Sequence, residues 1–299
     1  MEKPVRRRRH RALLALVVLL GLGGYLVIHL TTGGGAPPRC VVTDAESGET
    51  REFDPEQTAN AATISAVASA RGLPSRAVTI ALATAMQESA LHNIRHGDRD
   101  SLGLFQQRPS QGWGTRAQIL DPVYSAGKFY EHLAKVRGYT RLPLTVAAQK
   151  VQRSGFPQAY AKHEPAAALL AAALTGREQA ALTCTTGPDS QLAGDPADVR
   201  ERLAREFGRK LLAAEQDAGG GGRSAQAATG GLVTVAPGRS AEDAPRRGWE
   251  LAHWAVAHAT ELGLAEVAFG DRVWSADDSG KGWRRAAETS AEVRIVTAQ

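Results

Sequence analysis

Residues 12–30, ALLALVVLLGLGGYLVIHL, carry no formal charge, and no other stretch limits so strongly what this 299-residue chain can become. As a helix rising ~1.5 Å per residue, the run would reach about 28 Å, close to the hydrocarbon thickness of a bilayer. Lys3, Arg6, Arg7, Arg8, Arg9 and Arg11 stand just before it. This asymmetry predicts a transmembrane signal anchor over 12–30, with 1–11 as a basic cytoplasmic tail and the remainder delivered outside the cell membrane. Secretion after signal cleavage is the alternative, although Thr31–Pro38 holds no clear Ala-x-Ala site. Arg39 before Cys40 spoils a lipoprotein acceptor.

The net charge of +5 and the pI of about 9.4 invite an anionic partner, yet the basic tail with Glu2 already accounts for the whole charge. The rest sums to zero, which argues against nucleic acid as a partner. Cys40 and Cys184 are the only cysteines. Outside the cytoplasm an even pair bracketing one long segment reads as a disulfide.

Between the cysteines the pattern is helical. Asp54-Pro55, Pro74-Ser75, Asp121-Pro122, Pro143 and Pro165 are start signals, and Gly72, Gly138 and Ser154-Gly155 are stops. Cys40–Thr43, Arg51–Phe53 and Leu182–Thr185 are short β-like pieces at the margin. The expected fold is mainly α, with an all-α domain at 40–185. Residues 186–231 hold an amphipathic helix from Asp195-Pro196 and a Gly-rich linker. Residues 232–299 read as a small C-terminal α+β domain, with Gly270-Asp271 as a hairpin turn.

Glu88 lies at the edge of the apolar stripe Val78, Leu82, Ala85 and Met86, in line with Ala77, Ala81 and Thr84. A carboxyl beside apolar surface stays protonated to higher pH, which suits the general acid of glycoside cleavage. Its neighbours sharpen the point. Gln87-Glu88-Ser89, followed by Ser101-Leu102-Gly103-Leu104-Phe105-Gln106, resembles the Glu-Ser … Gly-Leu-Met-Gln signature of soluble lytic transglycosylase-like, goose-type lysozyme-like domains. Gly97–Asp100 and Gln107–Gly114 are similar to the variant of actinobacterial cell-wall proteins, and the resemblance spans about residues 55–165.

The resemblance implies a lysozyme-like all-α domain after the N-terminal transmembrane helix. It implies Glu88 as catalytic acid, Ser89 as its usual neighbour, and Gly103, Leu104, Phe105 and Gln106 as the loop lining a glycan cleft. The family's Tyr-Asn-x-Gly motif is absent as such, and Gln152 in Ala148–Ser154 stands where it is expected. The implied activity is cleavage of the β-1,4 bond between N-acetylmuramic acid and N-acetylglucosamine in peptidoglycan. The alternative is a non-catalytic peptidoglycan-binding or scaffold protein of the envelope. The expected partners are peptidoglycan strands, the membrane, and an envelope protein recruited by the C-terminal domain.

No cofactor is expected. Asp98 and Asp100 are the nearest carboxylates for a second catalytic role, against a plain turn. Trp113 and Phe105 would stack on sugar rings or pack beneath the loop. His92 and His96 are spaced i, i+4 but lack the His-Glu-x-x-His pattern, so no metal is expected.

Overall fold

The computed structural model describes residues 14–25, 37–187, 193–209, 211, 231–238 and 242–299. It divides into Met1–Pro37 and Pro38–Gln299. In the first unit, residues 14–25 form helix α1 with exposed side chains. Among the described residues no helix is long and apolar enough to cross a membrane. The rest of the expected anchor, 12–13 and 26–30, lies outside the described residues, as does residues 1–11.

In the second unit, β1 (Cys40–Thr43) pairs antiparallel with β2 (Thr50–Phe53) and with β3 (Leu182–Cys184). The helices between them are α2 (Pro55–Ala70), α3 (Ser75–Ser89), α4 (Arg116–Ile119), α5 (Pro122–Ala134), α6 (Leu144–Gln152) and α7 (Glu164–Leu174). After them come α8 (Pro196–Phe207), β4 (Leu232–Val235), α9 (Ala244–Ala257), β5 (Leu264–Ser275) and β6 (Arg284–Thr297). The last three strands form a second antiparallel sheet in the order β4-β6-β5.

The expectation of a mainly α fold with an N-terminal transmembrane helix is thereby corrected. The protein is mixed α/β, with two three-stranded sheets and no membrane-crossing helix among the described residues. The physical reason lies in long-range pairing. Cys40 and Cys184 face each other in the β1–β3 ladder and are joined by a disulfide across 144 residues, so pieces that look marginal alone close into a sheet. The second correction concerns Gly270-Asp271. Gly270 has a positive φ of 59°, but it sits within β5 at a register shift, and the chain reverses later, around the short turn Ser279–Lys281. A glycine in the left-handed region serves a bulge as well as a turn.

Helix starts follow local chemistry. Asp54 caps α2 by accepting from Gln57 N while the Gln57 side chain returns the bond, and Pro55 opens the helix. Asp121-Pro122 and Asp195-Pro196 start α5 and α8 with the same aspartate cap and proline, without the returned bond. Helix α3 is buried over most of its length, and Ile80 and Leu82 have no exposed surface. Each such side chain contributes roughly 2–3 kcal/mol relative to exposure. Ala77, Ala81 and Thr84 are fully buried as well, so neighbouring segments approach α3 closely on that line.

Residues 232–299 pack directly on this core. The indole of Trp283 donates to Leu182 O (2.7 Å) and that of Trp274 to Cys184 O (3.1 Å), covering the outer edge of β3. Helix α8 joins in through Glu206, whose buried carboxylate accepts from Thr63 Oγ1 (3.0 Å) and Trp254 Nε1 (2.7 Å).

His253 on α9 is fully buried; its Nδ1 donates to Ala173 O (2.8 Å) and its Nε2 accepts from Ala181 N (3.1 Å). The bond accepted by Nε2 requires the neutral ring, and burial, outweighing the Ala173 bond, pushes its pKa from 6.5 down to about 4. Between these values the unfolded chain binds the proton and the folded one does not, so stability is complete above pH 6.5 and falls as pH drops toward 4. The loss expected from this ring is about 3 kcal/mol. Urea unfolding at successive pH values measures it, and His253→Gln is expected to flatten the profile. A wild-type stability unchanged across that window would contradict the assignment.

Candidate active site

Glu88 occupies the last turn of α3, which ends in two consecutive left-handed residues, Ala90 (φ 52°) and Leu91 (φ 65°). The chain then turns sharply into the loop of residues 92–113. Ser89, which is buried, anchors that loop by donating to Leu104 O (2.8 Å). Of the six non-glycine residues with positive φ among the described residues, Ala90, Leu91, Arg99, Gln106 and Arg153 all belong to this corner of the molecule. Such backbone is costly and gathers where structure serves function.

The Glu88 carboxyl is partly buried, and desolvation raises its pKa above the ordinary carboxylate value. Two donors oppose burial by favouring the ionised form: the Tyr160 hydroxyl, 2.7 Å from Oε1, and the Gln152 amide. Burial prevails, so the acid form persists to higher pH than on a free side chain. Tyr160 has no exposed surface, and burial together with the adjacent Glu88 charge raises its own pKa far above the ordinary phenol. It therefore acts as a fixed donor.

Gln152, at the C-terminal end of α6, ties the parts together. Its Nε2 donates to Phe105 O (2.8 Å), and the residue borders a cavity of about 320 Å³ that Gln106, Gln107, Trp113 and His132 also line. Trp113 stacks on His132 with ring centroids 4.2 Å apart and forms a flat wall. Gln106 folds its amide back toward His96 O (3.4 Å) and Gly103 O (3.3 Å). A Cβ on Gly97 would lie 1.8 Å from Gln106 Oε1, so glycine is needed for this approach.

The structure thus brings Glu88, Gln152 and the loop of Gly103–Gln106 together, but it gives several of them other roles than direct contact with a ligand. Leu104 and Phe105 are fully buried, and Phe105 stacks on Phe129 (4.7 Å) beneath the loop, so its ring is no sugar platform. Phe105 serves through its carbonyl. Ser89 points at the loop backbone, and Gly103 is buried with a φ of 71°.

Asp100 is engaged by Arg108 Nε (2.8 Å), Ser110 N (2.8 Å) and Ser110 Oγ (3.0 Å); these bonds, led by Arg108, hold its pKa well below the usual range. It clamps the loop. Asp98 is 90% exposed beside Arg99. His92 turns to Glu56 (3.1 Å) and Asp54 (3.4 Å) at the start of α2, and no metal-binding group of side chains occurs among the described residues.

Sequence reasoning missed Tyr160. It lies in Ala159-Tyr160-Ala161, 72 residues beyond Glu88, and its only local signal is a lone aromatic in a helical turn after Pro157. Because its bond favours the carboxylate, Tyr160→Phe is expected to raise the Glu88 pKa further. The basic limb of a pH–rate profile for a Glu88-dependent reaction would then move upward, and turnover would fall by roughly tenfold through loss of the hydroxyl that orients the acid. An unmoved limb would show that the hydroxyl does not act on Glu88.

The family described as VldE, C-terminal domain, matches residues 220–293, which include β4, α9, β5 and most of β6. This is similarity over the C-terminal quarter of the chain and does not reach Glu88. No curated protein matches the chain.

Proposed function

We propose that the protein is an extracytoplasmic lytic transglycosylase or muramidase-like glycosidase that cleaves the N-acetylmuramic acid–N-acetylglucosamine bond of peptidoglycan, with Glu88 as general acid. The observation that carries this reading is the Glu88 carboxyl, raised by burial, held by Tyr160 and joined by a hydrogen bond to Gln152, which lines a groove edged by glutamine side chains. The resemblance of the Gln-Glu-Ser and Gly-Leu-Phe-Gln segments supports it, and the Cys40–Cys184 disulfide favours an oxidising compartment.

In the proposed reaction Glu88 gives its proton to the bridging oxygen as the C1–O bond breaks. The substrate's own N-acetyl carbonyl takes up the positive charge at C1, as in substrate-assisted glycosidases. Glu88, now ionised and stabilised by Tyr160 and Gln152, accepts the proton of the sugar's 6-hydroxyl as that oxygen closes on C1. The product is a 1,6-anhydro end. One carboxylate suffices, which accords with Asp100 being engaged elsewhere.

A second reading is a peptidoglycan-binding protein without turnover. The folded-back amide of Gln106 favours it, since that side chain is already partnered. Incubating the full chain with insoluble peptidoglycan separates the two. Soluble anhydro-muropeptides, identified by mass spectrometry, support the enzyme. Retention on the pellet without products supports the binder, and neither outcome refutes both.

A further inference from the structure

The groove lined by Gln152, the hydrogen-bond partner of Glu88, is unevenly charged. Arg108, Lys150 and Arg153 line it, and among the described residues no carboxylate does. Arg108 is neutralised by Asp100 at 2.8 Å. Lys150 and Arg153, in the last turn and at the cap of α6, are exposed and have no ion-pair partner among the described residues. Arg153 holds its place with a φ of 53°, in the left-handed region where glycine would sit without strain. A guanidinium is thus kept at the groove despite an unfavourable backbone. The amides of Gln106, Gln107 and Gln152 already donate to backbone carbonyls, and the exposed Gln111 amide is neutral, so the lining leaves the two cations unmatched.

We infer that Lys150 and Arg153 form an anion subsite that takes a carboxylate attached to the glycan strand. The inference rests on the glycan reading above and narrows it: a neutral polysaccharide would leave both cations without a partner, whereas a strand bearing lactyl or peptide carboxylates satisfies them. Exposed cations steer and select more than they bind, so the effect is one of preference and depends on salt.

The test uses the full chain carrying Glu88→Gln, so that strands are not consumed. Binding is measured to three ligands of matched length: neutral N-acetylglucosamine oligomers, strands stripped of peptide that keep the lactyl carboxylate, and strands with peptide stems. At low salt, carboxylated strands are expected to bind about five- to tenfold tighter than neutral oligomers. High salt should erase the preference, as should Lys150→Gln combined with Arg153→Gln. A gain already present in stripped strands assigns the lactyl carboxylate, and a gain only with stems assigns the peptide. Equal binding of neutral and carboxylated ligands, or a preference that survives the double substitution, overturns the subsite and leaves the glycan reading standing. Binding to none of the three overturns both.

Discussion

Under the proposed glycosidase reading, replacing Glu88 by glutamine is expected to lower glycan cleavage by about a thousandfold, within the range that a positioned general acid supplies. Glutamine keeps the shape of the side chain and an oxygen for the Tyr160 hydroxyl, so the groove stays built while the transferable proton is lost. The pH dependence follows from the direction of the Glu88 shift. The working form is protonated and its pKa is raised by burial, so turnover should hold through mildly acid conditions and fall as pH rises through that value. Release of soluble muropeptides as a function of pH measures both effects. Full activity in the variant would remove Glu88 from the chemistry.

Loss of the disulfide should produce the largest change in stability. Cys40 and Cys184 are 144 residues apart, and a loop of that size is stabilised by about 4–5 kcal/mol in the chain-entropy account. Both cysteines are buried, so alanine is the appropriate replacement. The double variant Cys40→Ala, Cys184→Ala is expected to unfold at markedly lower urea than the oxidised chain, and reduction of the wild type should reproduce the shift. Coincident transitions would show that the β1–β3 ladder holds without the bridge.

What could be read from the sequence was what is local. Asp54-Pro55, Asp121-Pro122 and Asp195-Pro196 announce helices because a carboxylate accepts nearby N–H groups and proline fixes φ, and both effects act within one turn. The placement of Glu88 beside apolar neighbours is likewise a matter of helical spacing. What escaped depends on distance along the chain. The cysteine pair announced the Cys40–Cys184 link correctly but not that its two ends form a ladder, and the Tyr160–Glu88 contact joins residues 72 positions apart with no local signal for the partner. Phe105 shows the converse difficulty. A loop aromatic next to a glycine reads equally as platform or as packing, and only the opposing Phe129 ring decides. Gly270 is similar, since a positive φ serves bulge and turn alike.

The tryptophan-covered edge of β3 has a consequence for how the chain can be divided. Leu182 O and Cys184 O find their donors in Trp283 and Trp274, so a piece ending in the glycine-rich segment 218–231 would leave those carbonyls bare on an open strand. Such an edge invites pairing with the same strand of another copy. The module after that segment thus shields a strand edge of the half that carries Glu88, and separating the two would trade an internal seam for an aggregation-prone one.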